Sequence, residues 1–308
     1  MGEASESDPL VKRNLELLKS GNFADAVIIC KGKTWKVHRL ILRSGCVWFD
    51  KAFANNWKEA QTGRVQLQDQ QPEQIDDLLK FIYTGRFTPH LASNAKVISN
   101  PNLETNVSLW QAADFFLLPS LETAVYNYLY DRTTAVLRCF HTRRLRLTDS
   151  TPGRDSEAQP HDDTFFADFS RAIEKAYKFP RAREIQKLLA VTICALRKHV
   201  PKSVFGDLME TPGFQKDMCA TFTALHFTKP TEQFVDATVP FDIVQNRHCF
   251  DCNRNLRTCN LAQNDLWDMT LDPFSVGFVK WCGSCARPWI KSLLDTMISK
   301  LPAEPGSV

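Results

Sequence analysis

Residues 24–38, ADAVIICKGKTWKVH, constrain the fold more than any other stretch. Two strand-like runs, ADAVIIC (24–30) and KTWKVH (33–38), are split by Lys31-Gly32, and such a pair read across a two-residue turn is a β-hairpin. GRVQLQ (63–68) reads as a third strand opened by Gly63. Around these strands the pattern is helical. DPLVKRNLELLKSG (8–21) starts at Asp8-Pro9 and stops at Gly21, and short helical pieces fit 38–44 and 46–55. QPEQIDDLLKFIYTG (71–85) is a helix with Pro72 in its first turn, Gly85 at its end, and Ile75, Leu78, Leu79 and Ile82 on one face. VSLWQAADFFLL and PSLETAVYNYLY are two more helices, while residues 88–105 have no period and read as a loop. A small sheet covered by helices is an α+β fold.

The polar stretch TDSTPGRDSEAQPHDD (148–163) is the clearest domain boundary, and 308 residues leave room for two domains or three small modules. Beyond it, helices fit 165–178, 181–200 and 213–224. The middle one is amphipathic, with Ile185, Leu188, Leu189, Thr192, Ile193 and Leu196 on one face. Residues 227–247 look extended, and a last helix covers 288–300. The expected organisation is a disordered N-terminus over 1–8, a first domain over 9–135, a linker over 142–164, a helical region over 165–226, a C-terminal module over 227–300 and a disordered tail over 301–308. A formal charge of +3, from 38 basic and 35 acidic residues, gives no global field for nucleic acid or anionic lipid. The greasiest run, LLAVTICAL, is far short of the roughly 20 apolar residues a membrane span needs. The polar, acidic N-terminus does not read as a signal peptide, and Glu6 stands where a myristoylation pattern needs Ser or Thr.

Several strings come in an order that resembles a BTB (POZ) domain over residues 9–131: VHRLIL after the hairpin, SGCVWFDKAF, GRVQLQD, LLKFIYTG and AADFFLLPSL. Residues 88–105 are an insertion relative to compact members. The resemblance implies the BTB fold and a homodimer formed through the first helix and opening hairpin, here Leu10, Leu15, Leu18, Phe23 and Trp35. It also implies a charge pair between Asp25 and Arg39 in a groove near the dimer seam; a lone buried Arg is costly without a carboxylate. Many members tie a substrate to a cullin-3 ubiquitin-ligase scaffold through a hydrophobic-x-Glu motif before the middle strand. Trp57-Lys58-Glu59 stands at that place, and Trp is enriched at interface hot spots. The alternative for Trp57 is that its ring folds back on its own core. His38, polar in an apolar run, is expected to be satisfied by backbone.

Ten cysteines are many for this length. Cys30, Cys46, Cys139, Cys194 and Cys219 sit singly in apolar patterns and read as buried thiols. Without a secretion signal, disulfides are disfavoured. Cys249-x2-Cys252 and Cys282-x2-Cys285, separated by 29 residues, are two hooks that together complete a tetrahedral structural zinc site. His248 or Cys259 remains an alternative ligand, and Trp267, Trp281 and Trp289 supply a small core around the ion. Two histidines after the cysteines would be needed for a Cys2His2 finger, and none follows His248.

No catalytic constellation stands out, so the chain reads as a non-enzymatic adaptor, cytoplasmic or nuclear. It dimerises, contacts cullin-3 and takes a protein substrate through its C-terminal half. The alternative is a homodimeric scaffold or transcriptional co-regulator without cullin contact. In that case the basic run RCFHTRRLRL (138–147), otherwise a solvated helix face, serves nuclear import or nucleic acid. A redox enzyme using the cysteine pairs is a third class, and a stoichiometric ion on four thiolates separates it from the others.

Overall fold

The computed structural model of the protein describes residues 8–54, 57–88, 102–146, 163–197, 199–227, 266–271, 280–281 and 283–303. For 139, 141–146, 163–164, 223–227, 266–271, 280–281, 283–287 and 289 it describes the backbone alone. These residues belong to two units: one takes the chain up to Leu91 together with Thr105–Leu129, the other Ala92–Glu104 and everything from Tyr130.

In the first unit, helix α1 (Pro9–Ser20) is opened by Asp8, whose carboxylate accepts from the Leu10 amide at 3.0 Å, and closed by Gly21 in the left-handed region. The hairpin follows as β1 (Ala26–Cys30) and β2 (Lys33–Val37), with Cys30 opposite Lys33. Lys31 and Gly32 both take positive φ, 44° and 86°, as a two-residue turn matching the twist of the strands requires. Helices α2 (Arg39–Gly45), α3 (Val47–Phe53) and α4 (Lys58–Thr62) carry the chain across to β3 (Arg64–Leu67), which pairs parallel to β1, giving the order β2-β1-β3. Helix α5 (Pro72–Thr84) then buries Ile75, Leu78 and Leu79. Alternation puts Ile28, Val37 and Val65 into the same core. Phe49 stacks on Phe116 at 5.4 Å, fastening α3 to the end of helix α6 (Leu103–Phe115). Helix α7 (Pro119–His141) follows.

The second unit is built on α9 (Arg183–Ala195), in which only Glu184 is exposed. Around it pack α8 (Asp163–Tyr177), α11 (Phe214–Phe227) and α12 (Gly283–Lys300), with α10 (Lys202–Met209) against α8 and α11. Helix α12 turns Ile290, Leu294, Met297 and Ile298 inward at the spacing of one helical face. Phe165, Phe166 and Phe169 do the same for α8. Strands β4 (Thr142–Arg146), β5 (Leu266–Leu271) and β6 (Lys280–Trp281) form an antiparallel sheet in that order. The Asp168 carboxylate accepts from the Leu103 and Glu104 amides at 2.8 and 3.4 Å, capping α6 from 65 residues away. Burial pushes its pKa up, against the pull of those two amides.

Several expectations are corrected. The linker drawn over 142–164 begins later, because residues 142–146 are strand β4 and gain backbone partners in β5. The basic run 138–147 is therefore partly helix and partly strand. Helix α6 begins at Leu103, inside the expected 88–105 loop, and α10 lies where no element was expected. The long amphipathic helix is buried nearly all round, since partners cover both faces. The last helix starts at Gly283 and runs through Pro288. The tail over 301–308 is docked at its start: Leu301 is buried, and the Pro302 carbonyl is bound by Arg183. Cys30, Cys46 and Cys194 are buried thiols as expected, but Cys219 is exposed. Residues 227–247, other than the end of α11, lie outside the described residues.

Candidate protein-docking site

The surface of the first unit is organised around the junction between β2 and α2. His38 is buried here and fully partnered. Its Nε2 lies 2.7 Å from the Asn22 carbonyl, which can only accept, so the proton sits on Nε2. Nδ1, 2.8 Å from the Tyr83 hydroxyl, then accepts the hydroxyl proton, and the hydroxyl oxygen accepts from the His38 amide at 2.9 Å. The expectation of backbone partners for His38 is half of the answer; Tyr83, 45 residues away, supplies the rest. Burial, first of all, pushes the Tyr83 hydroxyl up to about 12. Tyr83→Phe strands a buried amide and a ring nitrogen, and is expected to cost about 1–3 kcal/mol in urea unfolding. Because the folded state holds this proton more tightly, its contribution is complete below pH 10 and fades as pH rises toward 12. That alkaline loss should shrink in the variant, and a cost below about 0.5 kcal/mol would refute the assignment.

Asp25 and Arg39 meet here, though not as a carboxylate–guanidinium pair. The Asp25 carboxylate accepts from the Arg39 amide at 2.7 Å, a cap on the first residue of α2. The Arg39 side chain turns instead to main-chain carbonyls, Asp25 at 3.2 Å and Ala60 at 3.0 Å, with its Cζ 5.3 Å over Phe53. It lies flat against Gly63, where an added Cβ would sit 2.7 Å from Nη2; Gly63 also has φ 70°. The reason is local: the main-chain carbonyls of Asp25 and of Ala60 in α4 face Arg39, whereas the Asp25 carboxylate is already engaged by the amide. A groove of about 500 Å³ beside this junction is lined by Asp25, Arg39, Leu40, Arg43, Ser44 and Asp50.

The bond to Ala60 matters because Ala60 belongs to α4. Arg39 thereby ties the turn that carries Trp57 and Glu59 to the sheet–helix junction. The Trp57 carbonyl accepts from Ala60 and Gln61, both at 3.1 Å, and Gly63 closes α4 on Glu59 at 2.9 Å. On this fixed backbone Trp57 points outward, 63% exposed. The two residue pairs expected from sequence as separate features are thus joined through one arginine.

The residues expected at a dimer surface divide. Leu10 is exposed, and Phe23 is 91% exposed with φ 62°. Phe23 is held in that left-handed conformation by bonds on both sides, His38 to the Asn22 carbonyl and the Ala24 amide to the Gly21 carbonyl at 3.2 Å. Leu15 and Leu18 are half-buried. Trp35 faces inward: only 7% is exposed, its Nε1 donates to Asp76 at 3.1 Å, and Lys33 lies 5.0 Å over its ring. Burial acts to raise the Asp76 pKa, but hydrogen bonds from Lys80 and Trp35 and the lysine charges hold it low.

Sequence reasoning missed further exposed apolar side chains. Leu40 is 80% exposed, and Val47, Phe115 and Leu117 are also outward. Leu40-Ile41-Leu42 is an unbroken apolar run, so its period does not say that Leu42 is the buried member. The FFLL stretch reads as continuous helix, but α6 stops at Phe115. The Leu118 amide bonds to Ala113 and the Leu117 amide to Asp114, a Schellman closure with Leu117 at φ 56° where glycine is usual. The Trp48 ring lies 6.0 Å from Phe115.

Of the expected zinc ligands, Cys249, Cys252 and Cys282 lie outside the described residues, as do His248 and Cys259, and Cys285 is described only as part of the first turn of α12. Among the described residues, no group of side chains is placed to hold a metal, and no helix is long and apolar enough to cross a membrane.

The family model of the BTB/POZ domain matches residues 15–133. Those residues form a BTB domain. Kelch-like protein 40a of Danio rerio is 25% identical over 204 residues, 66% of this chain and 30% of that protein. Kelch-like protein 40 of Xenopus tropicalis is 26% identical over 137 residues, and Kelch-like protein 21 of Danio rerio 29% over 117. The chain thus spans less than a third of the length of these curated relatives. Among solved structures, the BTB domain of zebrafish PATZ1 covers 42% of this chain and 98% of its own at 16% identity and a TM-score of 0.31. The BTB domain of human Gigaxonin covers 42% and 99% at 21% identity and a TM-score of 0.29. The residues that the family model matches include the hairpin, the helices around it and the Trp57 turn.

Proposed function

We propose that the protein is a non-enzymatic adaptor: a BTB homodimer that docks a cullin-3 scaffold and brings it a protein substrate held by the C-terminal half. The observation that carries this reading is Trp57, a large ring directed into solvent from a turn whose backbone is fixed by α4 and by Arg39. An exposed aromatic on a rigid support loses little entropy on binding, which suits an anchor. Kelch-like relatives support the adaptor role. The choice of cullin-3 rests on the place of Trp57-Lys58-Glu59 before the middle strand. Leu10 and Phe23 offer apolar surface to a second copy. In the C-terminal half, Cys249, Cys252, Cys282 and Cys285 would hold a structural zinc ion; four thiolates match the donor set such an ion takes. The adaptor would work in the cytoplasm or nucleus.

Calorimetry of the full chain against the cullin-3 N-terminal domain tests the reading. Trp57→Ala should weaken binding about thirtyfold, the loss of a central aromatic anchor, with the dimer intact by light scattering. Lys58→Ala should change little. No heat at tens of micromolar from an intact dimer would favour the scaffold or co-regulator. Equal binding by wild type and Trp57→Ala would remove Trp57 from the contact.

A further inference from the structure

Arg183, at the first position of α9, is only 8% exposed, yet all five of its guanidinium N–H groups are engaged. Nη1 and Nη2 bond the two oxygens of Asp217 on α11, at 2.5 and 2.8 Å, and Nη1 also reaches Gln186 at 3.3 Å. The remaining two, from Nε and Nη2, converge on the main-chain carbonyl of Pro302 at 3.1 and 2.8 Å. Behind the guanidinium, Tyr177 donates to Asp217 at 2.5 Å, and Gln186 bonds the carbonyls of Ala176 and Phe179. The charge of Arg183 is balanced by Asp217. What the socket lacks without Leu301-Pro302 is a neutral acceptor for two charged donors, plus an apolar side chain for the site that Leu301 fills at 4% exposure.

The segment that meets this need lies beyond the last residue of α12. Pro302 has no N–H and cannot extend the helix, so the chain turns out of helical geometry and leaves its carbonyl free. The contact is a short non-helical strap seated against Arg183. The socket itself is braced by Asp217, Gln186 and Tyr177, none of which depends on the strap.

We propose that the Arg183 socket is a binding site for a short apolar–proline peptide, filled in cis by Leu301-Pro302. The strap is detachable and holds α12 down on α9. Its release uncovers the face under Ile290, Leu294, Met297 and Ile298, and leaves the socket open to another segment of the same chemistry.

Hydrogen exchange read by mass spectrometry on the full chain tests this. Leu301→Asp drives a charge into the apolar seat while leaving the guanidinium–carboxylate pair in place. Amides of α12 and of the first turns of α9 should exchange roughly ten- to a hundredfold faster, the size expected when charged donors lose an acceptor. Strand β1 and helix α5 should be unaffected. Leu301→Ala should act in the same direction, more weakly, so a misfolded Asp variant does not decide the matter. Millimolar peptide Ser-Lys-Leu-Pro-Ala-Glu, added to either variant, should slow exchange again in the first turns of α9, which carry the socket, but not in α12, to which it is not tethered, and the same peptide with Asp for Leu should do neither. Unchanged exchange in both variants would overturn the strap. Faster exchange that the Leu-Pro peptide fails to slow in α9 would overturn the exchangeable site and reduce Leu301 to ordinary core.

Discussion

Asp217→Asn is expected to lower the stability of the helical unit by about 3–5 kcal/mol, the usual cost of removing one partner of a buried ion pair. The asparagine keeps the shape but leaves the Arg183 charge without compensation where only 1% of the Asp217 side chain is accessible. It also weakens the Tyr177 contact, which at present donates to a full negative charge. Burial, and next the neighbouring Asp217 charge, already push the Tyr177 hydroxyl far above its ordinary range. The measurement is urea unfolding followed by exchange of α9 amides. Replacing both partners by apolar residues, Arg183→Met with Asp217→Leu, should cost much less than Asp217→Asn alone, because no buried charge is then orphaned. A loss below about 1 kcal/mol for Asp217→Asn would show that water reaches the pair and that it does not organise the unit.

Removing zinc should have a larger effect, confined to the C-terminal module. Zinc binding contributes roughly 10–16 kcal/mol of apparent free energy in small zinc-finger peptides at neutral pH, and that energy is folding energy. Elemental analysis of the purified chain should find one equivalent. A strong chelator, or Cys282→Ser, should unfold residues 248–289 and leave the BTB domain folded. Substituting His248 or Cys259 should leave the metal in place if the four paired cysteines are the ligands. Metal below about half an equivalent with the module still folded would end the zinc reading. Free thiols in metal-free, folded protein would reopen the redox alternative.

Much of the BTB domain was legible because its signals are local. Two strand-like runs split at Lys31-Gly32, a period of 3.6 from Ile75 to Ile82, and the helix stops at Gly21 and Gly85 act within a few residues of chain. Each therefore holds whatever the rest of the molecule does. The exposed Trp57 was half legible: its place in the string order was readable, but whether its ring faced solvent or core was not. Side-chain direction depends on what packs behind the turn, here Arg39 reaching the Ala60 carbonyl.

What only the tertiary structure decided are the pairings between distant polar groups. The sequence pointed to Asp25 and Arg39 as partners. Competition between one carboxylate, one amide and two carbonyls determined that the amide takes the carboxylate and the guanidinium takes the carbonyls. Trp35 looked like surface and became core because Asp76 on α5 offers its indole an acceptor. Leu40 is surface and Leu42 core, because three adjacent apolar residues cannot all face one way on a helix. The Arg183 node joins residues 34 and 119 positions apart, and Leu301 and Pro302 looked like part of a disordered tail. Local pattern sets which elements form. Burial then decides which polar groups must find partners, and those partners are whatever the packed chain brings within about 3 Å.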